Sequence, residues 1–406
     1  MIWNEKVECM NRGAMQELQS RRLVELVRYV YERNPAYRQK LDAASVAPAR
    51  IKGIGDIGAL PFTVKYDMRD TYPFGLFSRP ITEVSEIHVS SGTSGTPTVV
   101  GYTKDDLKLW SDVMARALCC AGAEPGDMIH IMYGYGLFTG GLGLHYGALE
   151  MGLTIIPASA GQTKRQLQLM TDFKPRLVAC TPSYILFMAE EAREMGLDPR
   201  AASYEIGVFG AEPWSEAMRR EIESTWDMLA TDIYGLSEII GPGVAQECGH
   251  KNGLHIFSDV FYPEIIDPET GAPVPEGADG ELVITTLTKQ AIPLLRYRTR
   301  DITALTADEA HDLLHRSRAP DEVLEVPRAL HLVTEQLAFP GELAGPRIAL
   351  HLVEELAHQT PQQLGALNIK LVERLHGKLS GPGSFIHSVY YLLLTIYYLL
   401  SGQSHA

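Results

Sequence analysis

Cysteine is scarce. The 406-residue chain has five, Cys9, Cys119, Cys120, Cys180 and Cys248, an odd number at unpatterned spacings. That argues against a disulfide framework and fits a reducing, cytoplasmic setting. Excess positive charge is absent too: 36 Lys and Arg face 50 Asp and Glu, a formal net charge of -14. Such a field disfavours non-specific binding to nucleic acid or to an anionic membrane, so neither partner is expected. The start, Met1-Ile2-Trp3-Asn4-Glu5, lacks the basic and apolar runs of a secretion signal. Internal repeats and low-complexity tracts are missing. The almost wholly apolar, tyrosine-rich run Phe385–Leu400 has sixteen residues, short of the roughly 20 that span a bilayer, and reads as a buried hairpin helix or an interfacial segment. What remains is a chain with 45% hydrophobic residues, enough to fill a large core and form more than one domain.

The periodicity changes along the chain. Residues 15–34 read as an amphipathic helix, with Leu23, Leu26, Val27, Val30 and Tyr31 on one face and Asn34-Pro35 as its stop. Between 104 and 240, short apolar runs (Met128–Met132, Leu153–Pro157, Leu177–Thr181, Ile206–Phe209, Leu229–Tyr234) alternate with helix-compatible stretches at 141–151, 163–173, 182–195 and 214–228. This predicts βαβ units and an α/β fold with a mostly parallel, buried sheet flanked by helices. Residues 255–306 hold β segments, His255–Phe261 and Glu281–Thr286, separated by turn-forming Asp-Pro-Glu-Thr-Gly and Pro-Glu-Gly. They predict an antiparallel subdomain following a 1–254 core. The segment 307–380 reads as helical, with leucine-rich stripes at Ile348–Leu356 and Leu364–Leu375, so 307–406 is expected to form a mainly helical tail.

The strongest local signal is Ser90-Ser91-Gly92-Thr93-Ser94-Gly95-Thr96-Pro97-Thr98, which follows the strand-like Ile87-His88-Val89. Two glycines among hydroxyl residues let backbone N–H groups and side-chain donors converge on a phosphate. The Gly-Lys-Ser/Thr ending of a Walker loop is missing. Composition alone would suit a flexible polar loop equally well.

The order of residues carries more. The loop resembles the phosphate loop of the adenylate-forming superfamily, which includes acyl-CoA synthetases, luciferase and peptide-synthetase adenylation domains. Asp232-Ile233-Tyr234-Gly235-Leu236-Ser237-Glu238 resembles that superfamily's aromatic-Gly-x-(Ser/Thr)-Glu motif. Gly210-Ala211-Glu212-Pro213 resembles its adenine-side loop, and Tyr297-Arg298-Thr299-Arg300-Asp301 its ribose motif. Pro61-Phe62-Thr63-Val64-Lys65, Tyr72-Pro73-Phe74-Gly75 and Tyr133–Gly141 narrow the resemblance to the phenylacetate-CoA ligase family, over residues 1–306, about three quarters of the chain.

The resemblance implies an AMP-forming aryl-acid CoA ligase using ATP, Mg²⁺ and CoA, with phenylacetate the foremost acid. It assigns Ser91, Gly92, Thr93, Ser94, Gly95 and Thr96 to the departing phosphates and Ser237 to the α-phosphate. Lys65 joins Ser237 and Glu238 as catalytic. Glu238 would hold magnesium, a hard cation that takes oxygen ligands. Gly210, Ala211, Glu212, Pro213, Asp232, Ile233, Tyr234, Gly235 and Asp301 would line the adenine and ribose side, with Asp301 on the ribose hydroxyls. Tyr135, Phe138, Ala211 and Ile233 would form the acyl pocket, whose aromatic rings can pack on an aryl acid, though Tyr135 and Phe138 read equally well as core. The resemblance also admits a homodimer. Zinc is not expected: Cys248, His250 and His255 are close in sequence, but no cysteine follows Cys248 to complete a four-ligand set.

The resemblance stops after Thr306. The superfamily's small C-terminal domain begins at a hinge and supplies a glycine-flanked lysine; here the lysines beyond 306 are Lys370 and Lys378, both in helix-like context. Three readings stay open: a complete ligase with an unusual tail, a protein that binds nucleotide and aryl acid or performs half the reaction, and an enzyme that passes its adenylate to a carrier protein.

Overall fold

The computed structural model describes residues 2–90, 97–307 and 312–316. The chain divides into two units, Met1–Leu324 and Glu325–Ala406, and every described residue belongs to the first. The leucine stripes of the tail and the run Phe385–Leu400 lie outside the described residues, as do Ser91–Thr96. Among the described residues, no helix is long and apolar enough to cross a membrane.

Two short strands, β1 (Glu86–Val89) and β2 (Val99–Tyr102), form an antiparallel pair that brackets the expected phosphate loop. Ser90 and Thr98 close its base: each backbone N–H reaches the other residue, Ser90 N–H to Thr98 O and Thr98 N–H to Ser90 Oγ, both at 2.9 Å.

The main sheet has eleven strands among the described residues. Its parallel part comprises β3 (Met128–Ile131), β4 (Thr154–Pro157), β5 (Leu177–Cys180), β6 (Ile206–Gly210) and β7 (Leu229–Leu236), in the spatial order β4-β3-β5-β6-β7. All four residues of β5 are buried, as expected for a strand covered by helices on both faces. The crossover helices fall where the apolar periodicity places them, at Thr139–Met151, Thr163–Phe173, Pro182–Glu194 and Glu216–Trp226. The early amphipathic helix spans Arg12–Arg33 and buries Leu23, Leu26, Val27 and Val30. Asn34 ends it and also caps the next helix, Pro35–Ala43, by accepting from Tyr37 N–H, with Pro35 at the first position where its missing N–H costs nothing.

The sheet continues antiparallel through β8 (Gly241–Glu247), β9 (Leu254–Ile256), β10 (Phe261–Ile266), β11 (Gly280–Thr286), β12 (Tyr297–Ala307) and β13 (Asp312–Arg316). Two expectations need correction. The segment His255–Phe261 is not one strand. It breaks after Ile256 at a turn where Arg22 and Arg116 hold Asp259, and pairing resumes at Phe261. The helical reading of 307–380 also fails at its start, because Asp312–Arg316 pairs with both β12 and β9. Those two neighbours otherwise present unpaired backbone groups to each other, and satisfying them outweighs local helix propensity.

Candidate active site

Gly210–Pro213 and Asp232–Glu238 lie at or just beyond the C-terminal ends of the parallel strands β6 and β7, the end of an open α/β sheet where ligand crevices form. Gly210 ends β6 and pairs with Ile233 on β7. A Cβ at Gly210 would lie 2.4 Å from the Ile233 carbonyl oxygen, so only glycine permits this approach. The chain then turns sharply. Ala211 has φ of 68°, a left-handed conformation costly for a residue with a side chain. Tyr133 OH locks the strand ends together, donating to Cys180 O at 2.6 Å and to Gly210 O at 3.3 Å. Burial pushes its hydroxyl pKa well up.

After Tyr234 the pairing of β7 with β8 shifts register, and the chain turns through Ser237 and Glu238. At the bulge, a Cβ on Gly235 would meet Gly241 O at 1.9 Å. The Ser237 hydroxyl lies 3.2 Å from Thr139 Oγ1, at the first residue of the helix Thr139–Met151. The Glu238 carboxylate is nearly buried and faces two partners. Lys65 Nζ is 2.9 Å from its Oε1, and the Tyr297 hydroxyl hydrogen-bonds to it. Burial first, then the Glu238 and Asp301 charges, drive the Tyr297 hydroxyl pKa upward.

Lys65 reaches Glu238 because its segment is sewn to β12. Thr63 N–H donates to Arg296 O at 3.0 Å, Arg298 N–H to Thr63 O at 2.9 Å, and Thr63 Oγ1 to Leu295 O at 2.6 Å. The Phe62 ring packs under the Arg296 guanidinium, 4.0 Å from its centroid. The strand that receives these bonds carries Asp301. Its carboxylate is exposed and accepts from Tyr234 OH at 2.6 Å. Burial, then the Asp301 charge, pushes the Tyr234 hydroxyl pKa well up. Lys65, Ser237, Glu238, Tyr234 and Asp301 therefore belong to one connected constellation.

Other expected residues stand differently. The Glu212 carboxylate caps a helix: Oε1 accepts from Ser183 N–H at 2.7 Å and Oε2 from Ser183 Oγ at 3.1 Å, at the start of Pro182–Glu194. Asp232 Oδ1 accepts from Trp214 Nε1 at 3.0 Å. Pro213 is exposed beside Ala211. In the expected acyl pocket, Ile233 is buried and Tyr135 half-buried with its hydroxyl 3.3 Å from His145 Nδ1, but Phe138 is 58% exposed. Position alone does not bring Phe138 into an enclosed pocket. Sequence reasoning passed over Thr139 and Tyr133, which sit inside the aromatic-glycine stretch that carried the resemblance.

The constellation supplies one buried carboxylate oxygen donor with hydroxyls beside it, a donor set suited to a hard divalent cation such as magnesium. Soft-metal ligands are not part of it. A separate cavity of about 710 Å³ is lined in part by Cys119, Cys120, Cys248, His250 and His255 and shares no residue with this constellation. Among the described residues, no group of three His, Cys, Asp or Glu is arranged to hold a metal ion.

Residues 79–288 match the family model for AMP-binding enzymes. Phenylacetate-coenzyme A ligase of Thermus thermophilus is 54% identical over 307 residues, 75% of this chain and 69% of that protein. The enzyme of the same name from Escherichia coli K12 is 50% identical over 323 residues, 78% and 74% of the two chains. Among solved structures, 2-hydroxyisobutyryl-CoA ligase with 2-HIB-AMP and CoA in its thioesterification state is similar with TM-score 0.72 and 28% identity, covering 75% of this chain and 68% of that one. An open conformation of that ligase gives TM-score 0.72 at 25% identity, covering 81% and 82%.

Proposed function

The chain belongs to the phenylacetate-CoA ligase family of AMP-binding enzymes, and from that premise we propose that it is an ATP-dependent, AMP-forming ligase joining an aryl acid, foremost phenylacetate, to coenzyme A. A carboxylate oxygen of the acid attacks the α-phosphorus of ATP, and the bond to pyrophosphate breaks. The CoA thiolate then attacks the acyl carbon, and AMP leaves with the electron pair of the acyl–oxygen bond. Because anions must approach one another, charge neutralisation and positioning supply most of the rate.

The observation that carries this reading is the placement of Lys65 against the nearly buried Glu238, beside Ser237 and the Tyr234–Asp301 pair. Glu238 would hold magnesium, which would offset triphosphate charge. The Ser237 hydroxyl would donate to the α-phosphate, with Thr139 orienting it. Lys65, freed from Glu238 as the cation binds, would turn its ammonium to the incoming oxygens. Asp301, steadied by Tyr234, would accept from the ribose hydroxyls. Ser91–Thr96 would receive the departing pyrophosphate, and Ala211 and Ile233 would separate the adenine side from the aryl ring.

A second reading has a specific observation behind it. The resemblance to the superfamily stops after Thr306, and the lysines beyond it are Lys370 and Lys378. A segment that differs from the usual small domain would slow adenylation and fail to build the thioester-forming site, so the chain would form the adenylate without passing it to CoA. One experiment separates the two. Purified full chain is mixed with ATP, Mg²⁺ and phenylacetate, and pyrophosphate and thioester are followed with and without CoA. Pyrophosphate and phenylacetyl-CoA together support the ligase; pyrophosphate alone supports the half-reaction; neither product refutes both.

A further inference from the structure

Behind the Ser237–Glu238 turn lies a lysine that the chemistry above does not use. Lys289 follows β11 and is 2% exposed. Among the described residues its ammonium makes no carboxylate ion pair. It turns to the backbone instead: Nζ donates to Ile239 O at 2.8 Å and, at 3.4 Å, to Glu238 O. It also lies 4.8 Å from the centroid of the Tyr102 ring, a favourable seat for a desolvated cation.

The neighbours continue the pattern. Tyr102 OH donates to Ile240 O at 3.0 Å. Its ring stacks on Trp110 at 4.9 Å and 11°, and Trp110 Nε1 donates to Pro242 O at 3.0 Å. Four carbonyls between residues 238 and 242 thus receive donors from one Lys–Tyr–Trp stack. Tyr102 ends β2, the strand leaving the phosphate loop. Asp106 fixes the other side, accepting from Gln290 N–H at 2.6 Å and Ala291 N–H at 2.9 Å. Burying an ammonium that contacts no carboxylate directly is costly, even with the Asp106 and Glu238 charges nearby to offset part of it. Methionine or leucine would fill similar space without that penalty, so the donors and the charge need a reason. The reason at hand is the turn they hold.

We propose that Lys289 is a positioning residue for adenylation: with Tyr102 and Trp110 it fixes the backbone of residues 238–242, so that the Glu238 carboxylate and the Ser237 hydroxyl keep one orientation toward a magnesium–triphosphate. This rests on the assignment of Glu238 as the magnesium ligand. Lys289 touches no reacting atom; it acts through the turn, and it links that turn to the strand leaving the phosphate loop.

Lys289→Met keeps the chain length against Tyr102 while removing the donors. MgATP affinity is measured by calorimetry on the full chain, and pyrophosphate exchange is followed against Mg²⁺ and against phenylacetate. The expected result is a rise of about tenfold in half-saturating Mg²⁺ and a weaker MgATP affinity, with KM for phenylacetate within about twofold. Tyr102→Phe, which deletes only the bond to Ile240 O, should move the Mg²⁺ dependence the same way by about 2- to 5-fold. Wild-type Mg²⁺ dependence and MgATP affinity in Lys289→Met would overturn the proposal, as would equal losses toward Mg²⁺ and phenylacetate, the mark of general unfolding. If Lys289→Met does not fold, Tyr102→Phe decides: a selective rise in half-saturating Mg²⁺ supports the proposal and an unchanged value overturns it. If the unaltered chain binds MgATP yet exchanges no pyrophosphate with any aryl acid, the ligase reading fails, and the calorimetric comparison still decides the role of Lys289.

Discussion

The Lys65 ammonium lies 2.9 Å from Oε1 of Glu238, a half-exposed cation resting on a nearly buried carboxylate. Solvent screens such a pair, and its net contribution to stability is at most about 1 kcal/mol. Its consequence is geometric: the lysine holds the carboxylate in one orientation, and under the proposed reading a cation bound there would displace it. Glu238→Gln keeps the shape and removes that charge. It is expected to abolish Mg²⁺-dependent pyrophosphate exchange while leaving the melting temperature within a few degrees. Lys65→Met should lower kcat for exchange by about 10²-fold, the scale of losing one electrostatic donor. Undiminished exchange in Glu238→Gln would remove that residue from the metal site.

Asp301 and Tyr234 make a second separable prediction. Their bond of 2.6 Å orients an exposed carboxylate toward solvent. Asp301→Ala should raise KM for ATP by about 10- to 100-fold, since two charge-assisted hydrogen bonds would be lost. Tyr234→Phe should raise it only a few-fold, because the carboxylate remains and only its orientation loosens. KM for phenylacetate should move by less than about twofold in both. A matching rise in both Michaelis constants would mean that the pair shapes the whole cleft and not the ribose side.

Glu212 tests the boundary between site and scaffold. Its two oxygens accept from the backbone and hydroxyl of Ser183 at the start of a helix. Loss of a helix N-terminal cap costs about 1 kcal/mol. Glu212→Ala should therefore lower the melting temperature by about 2 °C and leave KM for ATP unchanged. A several-fold rise in KM at constant melting temperature would instead put the carboxylate against the nucleotide.

The parallel half of the sheet was legible because each strand is a short apolar run and each crossover has a helical period. Leu177–Cys180 is buried along its whole length and is correspondingly apolar. Where pairing is decided by distant neighbours, local pattern misled: Asp312–Arg316 is a strand because β9 and β12 lie on either side of it. The candidate site was legible as an ordered set of short motifs, and at two of their positions, Gly210 and Gly235, the structure has no room for a side chain. Lys289 was not legible. Its meaning depends on carbonyls some fifty positions away, and a lone lysine after a β segment gives no local signal. The same holds for Glu212, whose motif position hides its hydrogen bonds to Ser183 at the start of the helix Pro182–Glu194.

His130 on β3 offers a prediction in pH. It is fully buried, with Nδ1 2.8 Å from Tyr204 OH and Nε2 2.8 Å from Gln166 Oε1, and the Gln166 amide in turn donates to Ser159 O and Gly161 O. Burial lowers its pKa to about 4, opposed in part by the bond to Gln166. In the unfolded chain it titrates near 6.5. Between those values the unfolded state carries a proton that the folded state refuses, so stability rises with pH across this window. The contribution is complete above about pH 6.5 and is lost as pH falls through about 4. A depression of this size corresponds to about 3 kcal/mol. Carboxylates titrate in the same range, so the comparison must be made against His130→Gln, which keeps an amide in the same network and cannot be protonated there. Urea unfolding followed from pH 8 to pH 4 should show the original protein losing about 3 kcal/mol more than the variant. Equal losses in the two would mean that His130 accepts a proton within the fold, and that its bonds to Tyr204 and Gln166 rearrange to allow it.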